Sequence, residues 1–497
     1  MTVYSSLSKW RRPSFRDICG VVVVGALFSA GSVFGKTYYV DADNYGKAGL
    51  DGTNREKAFG TLEDAFNWGT DSGTVFKVYP GVYTNGSKSA CRAYMRSGVI
   101  CESVEGPERT IIVGGAATTA DGTDVYANGS GAIRCVKMNT GAVLRGFTLT
   151  GGHTANSSDS DLGYGGGVQA KGAANAYVID CIISNNTAYG SAGAYTDTTT
   201  TFVNCRFLGN SSYNKEGAIR GGYLVNCIIN GNTGCWGAYG TKLALNCTFG
   251  THTAAQNVSG KYYQCVMVEP VGPTVNCIFI GRGETSFSSV KKYYTNCVFL
   301  TSMPHEQHAV KTDCATYTAE DVMLDERFCP VLGSCAAIGF GTAAEFPAAY
   351  LEYGDLYGVP RILNGSIDAG ACEYDYRPHY SMALGPDVTV TNASPAVTLG
   401  DGCVNVPSGA TVSGVLSAKD NSNGYAATVR TPSVTMTLDG FGGRTGARSH
   451  VAAEAAEQTF KGVCSGDFGF VFSYLGDGSG VVDSLMRRPI GFVMVLN

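Results

Sequence analysis

Asp159 and Asp161 are the carboxylates best placed to act together. They sit one residue apart in Ser157-Ser158-Asp159-Ser160-Asp161, with His153 and Lys171 close in sequence. Two hard oxygen donors in a loop begin a calcium site, and a carboxylate beside a base begins a proton-transfer pair. The same run of Ser and Asp is also the composition of a plain solvated loop, and that reading leads. Calcium at Asp159 and Asp161 is thus the one metal expectation, and no other cofactor is expected. Asp41, Asp43 and Asp51 fail as an EF-hand, because Tyr45 takes a ligand position and Gly52 replaces the closing Glu. His305 and His308 have no supporting ligand pair and read as surface residues. Lys215, Glu216 and Arg220 flank Gly217-Ala218-Ile219 and could share an outer face, although strand alternation turns charges outward anyway. No glycine-rich loop follows a strand and opens a helix, so a nucleotide partner has no support. A softer lead is the series Tyr189, Tyr195, Tyr213, Tyr223, Tyr239, Tyr262, Tyr263, Tyr293 and Tyr294 beside turns and outer strands. Tyrosines on a flat sheet can stack on sugar rings, or they can be ordinary partly buried β-formers.

A repeat must position these groups. Val178-Ile179-Asp180-Cys181-Ile182-Ile183 returns as Phe202-Val203-Asn204-Cys205-Arg206-Phe207 and Leu224-Val225-Asn226-Cys227-Ile228-Ile229. It recurs at Ala244–Phe249, Thr274–Phe279 and Tyr294–Phe299, with a weaker copy at Gln264–Met267. The cysteines are separated by 24, 22, 20, 18, 12 and 20 residues, a solenoid period. Short β-branched and aromatic runs broken by Asn and Gly exclude helical repeats, and the frame of a leucine-rich repeat is absent. The spacing predicts a β-coil in which two strands meet at a corner held by Asn, a residue that tolerates the left-handed conformation. Coils stack about 4.8 Å apart, so Asn204, Asn226, Asn246, Asn276 and Asn296 should form a ladder of amides. Cys181, Cys205, Cys227, Cys247, Cys277 and Cys297 should point inward beside it as small apolar residues. The 12-residue step between Cys265 and Cys277 is too short for three strands, and Pro270–Pro273 is expected to cut one side. Asn185-Asn186, Gly209-Asn210 and Gly231-Asn232 read as polar turns into a Gly-rich third strand.

Seventeen of the 18 cysteines follow residue 35, an odd number that leaves at least one unpaired. In-register neighbours near 4.8 Å suit a reduced stack better than disulfides between coils. Cys91/Cys101, Cys329/Cys335 and Cys403/Cys464 are better disulfide candidates, and no cysteine spacing repeats as in a zinc site.

Of 497 residues only 15% are charged, 67 are Gly and 28 are Tyr, which suits turn-rich β-structure and excludes a helical bundle. The net charge of −5 lacks the basic surplus of a nucleic-acid binder. Lys9, Arg11, Arg12 and Arg16 precede the apolar run Ile18–Phe34, with small residues at Ala30 and Gly35. This predicts a signal peptide over 1–35 and export to the cell surface or beyond; the alternative is a retained anchor helix. Cys19 lacks a lipoprotein context.

The chain resembles the secreted bacterial right-handed parallel β-helix proteins of the pectate-lyase-like superfamily. The similarity lies in Thr37–Ala42, Asp51-Gly52, Phe59–Ala65, Gly73–Tyr83, Thr110–Ile112 and Val143–Leu149, and in Pro360–Ile362 with Ile367–Tyr374. Phe207–Asn210 followed by Gly217–Ile219 is similar to repeats of polymorphic outer-membrane adhesins, while the end at Val495-Leu496-Asn497 predicts no autotransporter barrel. The superfamily resemblance implies a right-handed three-sheet helix over 36–376. Leu62, Ala65 and Phe66 at helical spacing after Thr61 predict a short helix over Thr61–Trp68 that covers the first coil. The Val/Thr/Gly alternation of 377–497 predicts a separate β-rich, sandwich-like domain. In relatives that cleave acidic polysaccharides, calcium and an Arg or Lys base lie on one outer sheet; hydrolytic ones gather Asp there. No such cluster is legible here. The expectation is therefore a non-catalytic, adhesin-like binder of an extracellular polysaccharide or surface glycan, with cell-envelope components as further partners. A polysaccharide lyase or glycoside hydrolase is the alternative.

Overall fold

In this computed structural model the described residues are 35–374 without 69–70, 121–126, 197–198, 236, 251–260, 269–272, 282–291, 306–308, 325–327, 331–334, 345, 347–353, 356–358, 360 and 363–365. Beyond 374, strand backbones are described. The signal-peptide reading and Cys403/Cys464 lie outside these residues. The chain divides into two compact units, residues 1–330 with 334–373, and 331–333 with 374–497.

The first unit is a parallel β-helix. Among the described residues one sheet has twelve strands, from Thr37–Val40 to Ala309–Thr312, and a second has eleven, from Gly81–Tyr83 to Ala315–Thr316. A third has six, from Cys91–Met95 to Ala238–Tyr239. Three long parallel sheets are consistent with a right-handed coil, the hand that right-twisted strands favour in parallel crossovers. Register is kept from coil to coil: Val178 pairs with Phe202, Phe202 with Leu224, Leu224 with Ala244 and Ala244 with Tyr262. Period-2 alternation turns that row inward, and each of these side chains is buried. Phe279 and Phe299 stack at 4.8 Å in the second sheet, with Tyr294 edge-on to both.

Asp180, Asn204, Asn226, Asn246, Gln264, Asn276, Asn296 and Asp313 all hold φ between 49° and 56°, one per coil. Gly146 opens the column at φ 78°. Each cysteine that follows is buried, from Cys181 through Cys205, Cys227, Cys247, Cys265 and Cys277 to Cys297, and all remain free thiols. Burial pushes the thiols of Cys205, Cys247 and Cys277 well up. The amide ladder at this corner is broken. Asn204 donates to Asp180 (3.0 Å) and Asn246 to Asn226 (2.9 Å), but Asn276 and Asn296 donate to the carbonyls of Thr342 and Phe340. The reason is a returning segment whose residues Phe340, Thr342, Gly354 and Asp355 lie along the corner and take the amides with their carbonyls.

The continuous ladder stands at the next corner, in residues that read as turns. Asn186 Nδ2 donates to Asn210 Oδ1, and Asn210 Nδ2 to Asn232 Oδ1, both at 3.0 Å. The same amides donate to the carbonyls of Leu149, Ile183 and Phe207, so the buried side chains satisfy backbone that the bend leaves open. Gly152 packs against this ladder so closely that a Cβ would lie 2.0 Å from the Gly166 carbonyl oxygen.

The first coil is covered by a helix, and the returning segment is pinned along the side of the coils. Helix Leu62–Trp68 is capped by Thr61, whose Oγ1 accepts from Asp64 N at 3.0 Å. It buries Leu62, Ala65 and Phe66, with Phe66 edge-on to Phe76 at 4.9 Å. In the returning segment, fully buried Arg361 bonds Glu373 (2.7 Å) and donates twice to Asn246 Oδ1 (2.9 and 2.6 Å). Cys329 is joined to Cys372, not to Cys335, which stays free. Cys91 and Cys101 are also free: they lie on different sheets, the third and the first, each inside its own strand. The short coil returns from Val266–Met267 to Thr274–Val275, and 269–272 of that return lie outside the described residues.

The second unit is described by strands alone, all antiparallel. Thr411–Asp420 pairs with Tyr380–Met382, Thr389–Thr391 and Glu457–Val463. Arg448–Ala452, Gly480–Met486 and Phe468–Tyr474 form another sheet with Ser433–Val434.

Candidate functional site

The outer face of the third sheet gathers most of the chemistry. Register aligns Tyr94 with Lys137, Gln169 with Tyr195, Tyr195 with Arg220 and Arg220 with Tyr239. Lys137 pairs with Gln169, which joins the pairs into one row across six strands. Spaced at about 4.8 Å per strand, the row runs about 24 Å along the helix axis. The inward row beside it is Ala93, Val136, Val168, Ala194, Ile219 and Ala238, all buried, so the outward residues are free to differ.

This face is not flat. Residues 155–164 fold over the middle of the row as a ridge, and Gln169 and Tyr195 are buried under it. Arg134 fixes the ridge: its buried guanidinium donates to the carbonyls of Tyr164 (3.1 Å), Asp161 (3.0 Å) and Leu162 (2.5 Å). Gln169 Nε2 donates to the Asp161 carbonyl at 3.0 Å. Asp159 caps the one-turn helix Ser160–Gly163, its Oδ1 accepting from Asp161 N at 2.9 Å. The Asp161 carboxylate pairs with Lys171 at 2.9 Å. The expected calcium pair is thus one helix cap and one ion pair. Among the described residues no three His, Cys, Asp or Glu side chains are placed to share a metal ion. Half-buried His153 contacts the Gly151 carbonyl through Nδ1 (2.9 Å).

Beyond the ridge lies an aromatic cluster around one ion pair. Glu216 Oε2 accepts from Arg220 Nη1 at 2.6 Å, and Glu216 Oε1 accepts from the Tyr164 hydroxyl at 3.0 Å. Asn214 Nδ2 donates to the same phenolic oxygen at 3.1 Å. The Arg220 guanidinium lies 5.2–5.7 Å from the rings of Tyr239, Tyr195 and Tyr164, within cation–π range. Tyr164 and Tyr195 meet at 5.2 Å, Tyr189 and Tyr213 at 5.5 Å. Burial, with Glu216 beside it, raises the Tyr164 phenol above its ordinary value. Tyr213 is 59% exposed, Tyr189 and Tyr239 half-buried.

The remaining sequence candidates separate. Tyr262 and Tyr294 are core residues, Tyr263 packs edge-on to Phe346, and Tyr293 is exposed away from this cluster on the first sheet. Lys242 lies over the half-buried Tyr223 ring. Asp41 pairs with Arg55, and Asp51 with Thr53 and Lys57, so they do not converge. His305 is exposed; His308 and the Lys215 side chain lie outside the described residues. Tyr94, Lys137, Tyr164, Gln169 and Asn214 carry the site and were not singled out by sequence. One signal was present: Gly193-Ala194-Tyr195 repeats as Gly237-Ala238-Tyr239, which marks the third strand and its outward position.

No protein-family model matches the chain, and no curated protein does. Among solved structures, the pectate lyase Pel9A aligns with a TM-score of 0.45 and 14% identity, over 69% of this chain and 97% of that one. A pectin methylesterase in complex with a hexasaccharide gives 0.31 and 13%, over 63% and 95%. A rhamnogalacturonan lyase gives 0.31 and 13%, over 59% and 92%. These are likenesses of fold.

Proposed function

We propose that this is an exported β-helix protein, secreted or displayed at the surface, that binds an extended polysaccharide or surface glycan without cleaving it. The observation that carries the reading is the cluster of Tyr189, Tyr213 and Tyr239 near the Glu216–Arg220 pair, Tyr213 and Tyr239 on strands stacked along the axis and Tyr189 directly after one. A stacked sheet offers similar groups at a fixed spacing, which suits a polymer. Tyrosine faces stack on sugars while hydroxyls and amides bond them. Local charges are neutralised in pairs, Arg220 by Glu216 and Lys171 by Asp161, which favours a neutral glycan. Glycosidic hydrolysis needs two converging carboxylates, whereas Glu216 is held by Arg220 and Tyr164, and Asp161 by Lys171. The basic-then-apolar start supports export, and residues 377–497 are read as a separate sandwich-like module.

The test is a glycan array probed with the exported chain, beside an assay on uronate polymers with calcium that watches for unsaturated products. Binding of an extended glycan with no product supports the proposal. Turnover lost in Asp161→Ala or Glu216→Gln would replace it with a lyase or hydrolase.

A further inference from the structure

We propose that the N-terminal cap holds a second, separate sugar site, which takes a neutral mono- or disaccharide or the free end of a glycan. A cleft of about 420 Å³ opens between the loop after Asn44 and helix Leu62–Trp68, lined by Lys47, Leu50, Phe59, Asp64, Asn67 and Trp68. Its volume lies in the range of small-molecule sites, about 300–1,000 Å³. Trp68 is the last residue of the capping helix and is 59% exposed. The core needs Leu62, Ala65 and Phe66 from that helix, not Trp68. The indole leans on Phe59 at 5.7 Å, which sets its orientation without burying it.

The polar lining is half used. Asn67 Oδ1 accepts from Lys88, leaving the amide NH2 as donor. Asp64 Oδ2 accepts from the Thr61 hydroxyl at 2.7 Å, leaving Oδ1 as acceptor. Lys47 Nζ spends one proton on Asn44 Oδ1 at 2.7 Å. A donor, an acceptor and an ammonium beside an exposed indole match a ring with an apolar face and neighbouring hydroxyls. The lining holds one anion, Asp64, and one cation, Lys47, so it carries no net charge that would select a charged ligand. The site is separate from the tyrosine cluster proposed above: the cap adjoins the first strand of the first sheet, whereas Tyr239 lies on the strand of the third sheet farthest from Cys91–Met95.

Trp68 is one of three tryptophans, with Trp10 and Trp236, so its emission can be followed. The full exported chain is titrated with methyl glycosides of glucose, galactose, mannose and fucose, by fluorescence and calorimetry. At least one glycoside should bind saturably with a change in tryptophan emission. Trp68→Ala should weaken it about tenfold or more. Asn67→Ala should also weaken it, and Tyr293→Ala, an exposed tyrosine of the first sheet outside both sites, should leave it unchanged. No saturable binding of any glycoside, or affinity in Trp68→Ala and Asn67→Ala unchanged from the parent protein, would overturn the site. Should Trp68→Ala fail to fold, Asn67→Ala decides alone.

Discussion

Asn226 and Asn210 look alike in sequence and do different work. Asn226 holds a left-handed corner at φ 53°, accepts from Asn246 and donates weakly to the carbonyls of Gly354 and Asp355. Asn210 is fully buried and engages Ile183, Asn186 and Asn232 at once. Replacing Asn226 by Leu should cost about 1–3 kcal/mol, from backbone strain and a lost buried bond. Asn210→Leu should cost more, because it orphans two neighbouring amides and a carbonyl. Ser158→Ala, in the ridge loop, should cost less than about 0.5 kcal/mol. Denaturant midpoints of the three variants check the ranking, and equal midpoints would contradict it. The Asn-Cys corner was legible because a left-handed Asn before an inward cysteine repeats as a phrase. The second ladder was not, since Asn185-Asn186, Gly209-Asn210 and Gly231-Asn232 have the composition of turns. Only register shows that the second residue of each pair, Asn186, Asn210 and Asn232, points inward.

At the level of elements, the returning segment is the part least visible in sequence. Pro360–Tyr374 reads as a closing motif, yet nothing in it says that Arg361 reaches Asn246, more than a hundred residues earlier. Its partner Glu373 is pushed up to about 8 by burial, with Asp368 adding to the rise and Arg361 opposing it. A carboxyl raised in the folded state binds a proton that the unfolded chain has already released above about 4.5. That contribution to stability is complete below the unfolded value and is lost as pH rises through about 8. Thermal unfolding of the helical unit should therefore show a midpoint that falls from about pH 5 to about pH 8, and Glu373→Gln should flatten the slope. A flat profile in the parent protein would contradict the assignment. Arg361→Met leaves Glu373 and Asn246 without their partner in a dry site and should cost about 3–5 kcal/mol, measured by denaturant unfolding.

For the whole molecule, the solenoid explains how residues far apart in sequence make one surface. Tyr164 and Glu216 are 52 positions apart and 3.0 Å apart in space. Glu216 and Arg220 could be picked out beside their strand, and the tyrosines as a class. Which tyrosines share a face depends on coil lengths that vary from 12 to 24 residues, so Tyr262 and Tyr294 went to the core and Tyr213 to the surface. The ridge of 155–164 breaks the long flat face that a regular solenoid would offer, and it leaves Tyr213 exposed, with Tyr189 and Tyr239 half-buried. The most direct test measures affinity for a neutral glycan found on the array, as a ladder of increasing chain length, for the parent protein and Tyr213→Ala. Affinity should rise with length before levelling, Tyr213→Ala should lower it about tenfold with an unchanged melting temperature, and the oligomers should be recovered intact. Affinity independent of both length and Tyr213, or shortened oligomers after incubation, would contradict the account.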